Sequence, residues 1–393
     1  MLMSIAHSPE APATAEPALH DNPLVAHLVH VFPSFGIGGA QVRFAALVKA
    51  LGERYVHTVL SLRGDYSAAS LLAPDAAVAF VAPQGSGPPL SRLRAYRDQL
   101  RQLQPDLLLT YNWGAIEFAL ANFAQTPHLH MEDGFGPDEA ERQLRRRVWT
   151  RRLVLARSQV IVPSSTLQRI ATRQWQLSAD RVHHVANGVA PKRSYLTDLD
   201  DLGLHLPANR ARIGWAGALR PEKNPLRLLR AFAPLRAEAT LIIIGDGPER
   251  GAVLEEAQRL GLGDSLHLVG RRNDARDLIM QCDVIALSSN TEQMPLVVLE
   301  AMDAGLPVGS VDVGDVRQMV AAENRPYVTP PNDAALGAAL AELVARPEIR
   351  RTVGEANRLR ARSVYTLPRM VEAYDALIQA AIAGPHRRTA AHG

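Results

Sequence analysis

The sequence predicts an α/β protein of two doubly wound domains, and three observations predict it. From Leu24 onward, short apolar runs alternate with amphipathic helical patterns, which is the order of a parallel sheet with crossover helices. The alternation pauses at a polar, proline-bounded stretch, PKRSYLTDLDDLGLHLPANR (191–210), and then starts again. At 393 residues and 47% apolar composition, the chain can build two or three cores.

Each element follows from its local pattern. LVAHLVHVF (24–32) is a β-branched-rich strand, FPSFGIGG a glycine turn, and AQVRFAALVKAL (40–51) a helix with apolar residues at three- and four-residue spacing. VHTVLSL, DLLLTY, PHLHM, QVIVP and VHHVA are short strands separated by helical stretches such as LSRLRAYRDQLRQL, and this domain closes near Ala190. After the linker come ARIGWAGA, TLIIIGDG, SLHLVG and DVIALSS as strands, interleaved with the helices NPLRLLRAFAPL, RGAVLEEAQRL and DARDLIMQC. Helices over 332–344, 347–361 and 368–383 lie beyond the last clear strand. The expected division is a disordered Ala/Pro-rich tail (1–22), a first domain (23–195), a second (196–365), a helix crossing back to the first (366–383) and a loose tail (384–393). Two such domains leave a cleft, and ligands bind outside the carboxyl ends of the strands.

Charge and cysteine content narrow the class. The net charge of +3 argues against a dedicated nucleic-acid binder. It conceals an asymmetry: residues 1–195 hold 20 basic and 15 acidic groups, or +5, whereas 196–393 hold 23 and 25, or −2. One cysteine, Cys282, excludes an internal disulfide framework and makes a reducing compartment, the cytoplasm, the expected home. The N-terminal stretch has neither a basic leader nor a signal-length apolar core, and no run of about 18 apolar residues predicts a membrane span.

Chemistry concentrates just after strand ends. In FPSFGIGGAQ (32–41), Gly36, Gly38 and Gly39 let the backbone approach a ligand at the start of a helix, where free N–H groups suit an anion; a tight structural turn is the competing reading. In WAGALRPEKNP, Arg220 and Lys223 flank Pro221, and two cations there can neutralise a diphosphate leaving group. In SSNTEQMPLVVLEAMDAGLPV (288–308), Glu292 sits on the loop and Glu300 lies in the helix that begins at Pro295. The first turn, at Leu296 and Val297, offers N–H groups to phosphate, while the two carboxylates suit the hydroxyls of a sugar and of a ribose.

Taken together with NGV (187–189), IIIGDGPER, VGRRNDARDLIMQCDVIALSS and VDVGDV, these segments resemble the retaining glycosyltransferases of family 4, with the GT-B architecture of two Rossmann-like domains facing each other across a cleft. The resemblance covers roughly residues 26–365 and is most specific in the second half. It implies that Gly38 and Gly39 lie beside the donor diphosphate, that Arg220 and Lys223 clamp it, that Glu292 holds the donor sugar, and that Glu300 binds the ribose hydroxyls. Val269, Gly270 and Arg271 would meet the base. It implies no cofactor and no metal, because Arg and Lys take the phosphate role. Retention by a same-face displacement, in which the leaving diphosphate helps deprotonate the acceptor, is the expected route; a double displacement would need a carboxylate nucleophile on the far side of the sugar.

The sequence also departs from that pattern. Gln293 follows Glu292 where the family has Gly, and Gly314-Asp315 replaces Gly-Gly, which bears on the sugar accepted. In HMEDGFGPDEAERQ (130–143), Glu132 and Asp133 are expected at the cleft edge, to hold a sugar hydroxyl or assist acceptor deprotonation; an Asx-turn at Asp133 is the alternative, and Asp138 and Glu139 read as helix caps. RQLRRRVWTRRLVLARSQV carries Arg142, Arg145, Arg146, Arg147, Arg151, Arg152 and Arg157 among Leu144, Val148, Trp149, Leu153 and Leu155. Such a helix can lie on an anionic membrane, suiting a lipid-linked acceptor, or pack its apolar stripe on the sheet. His128, His130, His183 and His184 read as packed strand residues, and Trp175 and Trp215 as core or cleft wall. The partners expected are a nucleotide sugar and a glycan or lipid-linked acceptor. A nucleotide-sugar epimerase and a non-catalytic nucleotide-sugar-binding subunit are the alternatives.

Overall fold

The computed structural model describes residues 25–139, 142–204 and 206–384, so the expected tail over 1–22 and all but Gly384 of the expected tail over 384–393 lie outside the described residues, as does Leu24. The chain forms two units. One takes the described parts of Met1–Phe135, Gln143–Val185 and Val371–Gly393, and the other takes Gly136–Arg142 and Ala186–Met370.

The first unit is built on β1 (Ala26–Phe32), β2 (Tyr55–Ser61), β3 (Val78–Phe80), β4 (Leu107–Tyr111), β5 (His128–Met131), β6 (Gln159–Val162) and β7 (Val182–His184). They form one sheet in the order β3-β2-β1-β4-β5-β6-β7, and every pairing is parallel. Strand order reverses between β1 and β4, the position where open α/β sheets open a crevice at their carboxyl ends. Its helices are α1 (Gly39–Leu51), α2 (Pro89–Leu103), α3 (Ile116–Asn122), α4 (Arg145–Val154) and α5 (Ser165–Arg173). One core joins Val29, Val31 and Leu108 to Tyr96 and Phe118, and another joins Val160 and Val162 to Leu155, Leu167 and Trp175. Trp175 is fully buried, and its indole N–H donates to Gln143 Oε1 at 2.7 Å.

The second unit repeats the plan with β8 (Ala211–Ala216), β9 (Ala239–Ile244), β10 (Leu266–Gly270), β11 (Val284–Leu287), β12 (Val308–Val311) and β13 (Val328–Thr329). Their order is β10-β9-β8-β11-β12-β13, reversing between β8 and β11. Every residue of β9 is buried. Leu241 and Ile243 enter one core and Ile242 and Ile244 the other, so helices cover both faces, which is why the strand reads as an unbroken apolar run. Those helices are α6 (Pro225–Phe232), α7 (Arg250–Arg259), α8 (Ala275–Ile279), α9 (Leu296–Ala304), α10 (Val316–Met319), α11 (Asp333–Ala345) and α12 (Pro347–Val364).

A last helix, α13 (Leu367–Ala383), belongs to the first unit from Val371 onward. There Tyr55 Oη donates to Asp375 Oδ1 at 2.7 Å, Arg54 pairs with the same carboxylate, and Arg43 lies over the Tyr374 ring.

Two sequence expectations change. The stretch read as a linker is tied into the second unit: Lys192 N donates to Asp303 Oδ2 and Leu196 N to Asp277 Oδ2, both buried acids. Short β12 and β13 extend the sheet beyond the strand read as its last; each has too few residues to show a period.

Candidate functional site

The candidate residues lie at or just after the carboxyl ends of strands or at the start of the helix behind, except Glu300, which lies a turn into α9. In the second unit, Arg220 and Lys223 come from the loop after β8. Asn224, in the left-handed region at φ 45, ends that loop and accepts from Arg227 N at 3.0 Å, capping α6. Packing behind the loop is close: a Cβ on Gly245 would fall 1.8 Å from Gly217 O, so the GDGPER turn needs glycine there.

This loop is zipped to the one after β11. Asn290 N donates to Glu222 O, Ser288 Oγ to Lys223 O and Arg227 Nη1 to Ser288 O. The outcome is that Lys223 Nζ reaches Glu292 Oε1 at 2.5 Å, and Ser289 Oγ donates to the same oxygen at 2.8 Å. Arg220 stays exposed, its nearest acid being Glu222 at 3.9 Å. Pro295 then leads into α9, whose first residues Leu296 and Val297 have no preceding turn to accept their N–H groups.

Glu300, half-buried in α9, sits in a different environment from Glu292. Burial pushes its carboxyl up to about 7, against the opposing pull of Arg276 and Lys192. Lys192 pairs with Asp277, and Arg276 donates to Asp303 Oδ2 at 2.7 Å. Gly270 ends β10 at φ 74, and Arg271 beyond it is exposed. The two departures from the family pattern meet: Asp315 N donates to Gln293 O at 2.9 Å, and both residues are buried.

In the first unit, Gly38 is the extended residue before α1 and Gly39 its first member. The acid pair after β5 divides. Asp133 remains partly exposed and takes both Nη atoms of buried Arg43, at 2.5 and 2.8 Å, while its own N–H donates to Asn112 Oδ1 at 2.7 Å. Burial alone would lower the Arg43 guanidinium, but the Asp133 charge and hydrogen bond hold it above its ordinary value.

Glu132 corrects the expectation of a cleft-edge acid: it is fully buried, 3.1 Å from Arg151 Nε and 3.7 Å from His130 Nε2. Arg151 is itself fully buried among the rings of Trp113, Phe135 and Trp175. A carboxylate needs such a partner once it is removed from water. The basic segment is corrected too: helix covers only Arg145–Val154, Arg147 and Arg151 turn toward Trp113, and Trp149 and Leu153 face outward.

Sequence reasoning missed the supports. Arg43 reads as an ordinary helix position, 90 residues from Asp133, and Lys192 as part of a loose linker, so no local spacing marks either. Cys282 is buried, and burial pushes its thiol up to about 12.

With this geometry in place, comparison with known proteins is informative. The family model for Glycosyl transferases group 1 matches residues 203–360, and that for Glycosyltransferase Family 4 matches 37–193. The chain is 27% identical over 161 residues to N-acetyl-alpha-D-glucosaminyl L-malate synthase of Bacillus anthracis, covering 40% of this chain and 42% of that protein. It is 26% identical over 233 residues to D-inositol 3-phosphate glycosyltransferase of Stackebrandtia nassauensis, covering 54% and 51% respectively. The matches therefore span about half the length of these relatives. The solved structure of Anabaena Alr3699/HepE in complex with UDP and glucose superposes with a TM-score of 0.78 at 21% identity, covering 90% of this chain and 100% of that one. It has the same two-sheet α/β fold.

Proposed function

From the premise that the chain belongs to glycosyltransferase family 4, we propose that it moves a sugar from a nucleotide-diphosphate-sugar donor to a glycan or lipid-linked acceptor in polysaccharide or glycolipid biosynthesis. One observation carries this reading: Lys223, Glu292 and Ser289 form one hydrogen-bonded group next to exposed Arg220 and the first turn of α9. That group offers positive charge, a carboxylate and free N–H donors together, as a sugar diphosphate requires.

In this reading Arg220 and Lys223 stabilise the charge that develops on the leaving diphosphate, without need of a metal. Glu292 is pre-oriented by Lys223 and Ser289 to accept from a donor-sugar hydroxyl. Leu296 and Val297 donate to phosphate, and Glu300 in its ionised form accepts from the ribose hydroxyls. Gly270 and Arg271 border the base. In the first unit, the backbone at Gly38 and Gly39 opens the start of α1 to an anion. Asp133, fixed by Arg43 and Asn112, holds a sugar hydroxyl, whereas Glu132 is structural. Retention by same-face displacement fits a site whose acids bind hydroxyls rather than attack carbon.

A uridine donor carrying a hexose is the first to try, because the Anabaena relative was solved with UDP and glucose. A lipid-borne acceptor suits the outward arginines of 142–157, and with it a place at the inner face of a membrane. Buried Cys282 suits a reducing compartment. Incubation with a panel of nucleotide sugars tests the proposal: one donor should release nucleoside diphosphate, and isomerisation of a donor without that release would point to an epimerase.

A further inference from the structure

The apolar residues expected to pack α4 onto the sheet are divided between inside and outside. Val148 and Leu155 join the core, whereas Trp149 and Leu153, one turn apart, are 57% and 72% exposed. Neighbouring α3 does the same: Ile116 and Ala119 are buried, while Leu120 is 40% and Phe123 is 70% exposed. Phe123 is held at φ 34 and Ala124 at φ 62, a left-handed pair that bulky side chains avoid. The fold thus keeps a strained phenylalanine in water, where burial contributes nothing to offset the strain.

Arginines lie over the two aromatic members of this set. Arg152 lies over the Trp149 ring at 5.0 Å and Arg157 over the Phe123 ring at 5.9 Å, so the two exposed aromatics are each covered on one side by a cation. Arg145 and Arg146 are exposed and make no ion pair among the described residues. Arg181 adds a further cation, donating to Arg157 O at 3.0 Å. The acid of α3, Glu117, is paired with Arg92 of α2 at 2.7 Å.

We propose that Leu120, Phe123, Trp149 and Leu153, with Arg145, Arg146, Arg152 and Arg157, form a surface that docks the first unit on an anionic lipid bilayer. Tryptophan and phenylalanine settle at the headgroup boundary, leucine enters the acyl region, and arginines meet the lipid phosphates. A nucleic acid would use the arginines and rings but not two exposed leucines, and an acidic protein would leave the apolar centre uncovered. No helix among the described residues is long and apolar enough to cross a membrane, so the contact is peripheral. This deepens the lipid-linked-acceptor reading and rests on it for its purpose, but its test uses no substrate.

The test is co-sedimentation of the full chain with phosphatidylcholine vesicles, with and without about 30% phosphatidylglycerol. Binding should require the anionic lipid and weaken with salt. It should fall at least about tenfold in Trp149→Ala/Leu153→Ala, and similarly in Arg145→Ala/Arg146→Ala. All four side chains are on the exposed side, and matching thermal melts confirm that the variants fold. Failure to bind anionic vesicles, binding unchanged in both variants, or a Trp149-dependent dimer that excludes vesicles would each overturn the proposal. Vesicle binding without transferase activity would instead count against the transferase reading alone.

Discussion

Lys223 Nζ and Glu292 Oε1 meet at 2.5 Å although 69 positions separate them in the chain. The contact joins the loops after β8 and β11, the two strands between which the second sheet reverses order. It therefore sits where a doubly wound sheet binds its ligand. Lys223→Ala should lower kcat by about 100- to 1000-fold, the usual loss for one pre-organised charge donor. Both side chains retain some exposure, so the melting temperature should stay near that of the wild type. Steady-state kinetics with a calorimetric melt check both expectations.

Glu300 makes a prediction about pH. Its ordinary value is 4.5, and burial pushes it up to about 7. The folded chain therefore keeps a proton that the unfolded chain has lost between those values. The contribution of Glu300 to stability is full below 4.5 and is lost as pH rises through 7. Glu300→Gln should match the wild type in acid and melt higher at about pH 8, where the wild type buries a charge. Nucleoside diphosphate affinity should move oppositely, rising through neutrality in the wild type and flat in the variant. Paired melts and titrations across pH measure both.

Arg151 and Glu132 are both fully buried. Arg151→Ala should cost about 3–5 kcal/mol, because buried Glu132 loses its arginine and, among the described residues, keeps only His130, 3.7 Å away. Replacing both, as Glu132→Leu with Arg151→Met, should recover most of that loss. Denaturant unfolding of the two variants decides whether the pair acts as a structural unit.

Gly314 is at φ 56, and a Cβ there would lie 2.5 Å from Glu292 O and 2.6 Å from Gln293 O. Gly314→Ala must shift the loop carrying Glu292. It should reduce kcat/KM for the donor by about 100-fold, the usual cost of a misplacement near 1 Å. The loop lies beyond the carboxyl ends of β11 and β12, so the strands should still form, and steady-state kinetics with a calorimetric melt check both expectations.

Much of this was legible in the sequence where pattern and physics coincide. The run TLIII predicts a strand, and in the fold Leu241 through Ile244 alternate between two cores. Pro295 marks the approach to α9, and the glycines after β1 mark the start of α1. What escaped depends on distant partners. Glu132 and Asp133 are adjacent and look alike in sequence. Only folding brings Arg151 to one and Arg43 to the other, burying the first and leaving the second partly exposed. The stripe of α4 misleads for the same reason: arginines 147 and 151 find aromatic rings and Glu132 inside, which frees Trp149 and Leu153 to face outward.

The central claim is that the loops carrying Lys223 and Glu292 break a sugar–diphosphate bond and transfer the sugar. The most direct measurement follows each of a panel of nucleotide sugars by NMR with wild-type protein and with Lys223→Ala. The account predicts nucleoside diphosphate released from one donor by the wild type, an α-donor giving an α-linked product, and both signals lost in the variant. Release unchanged in Lys223→Ala, or a donor that isomerises while its diphosphate bond stays intact, would contradict it.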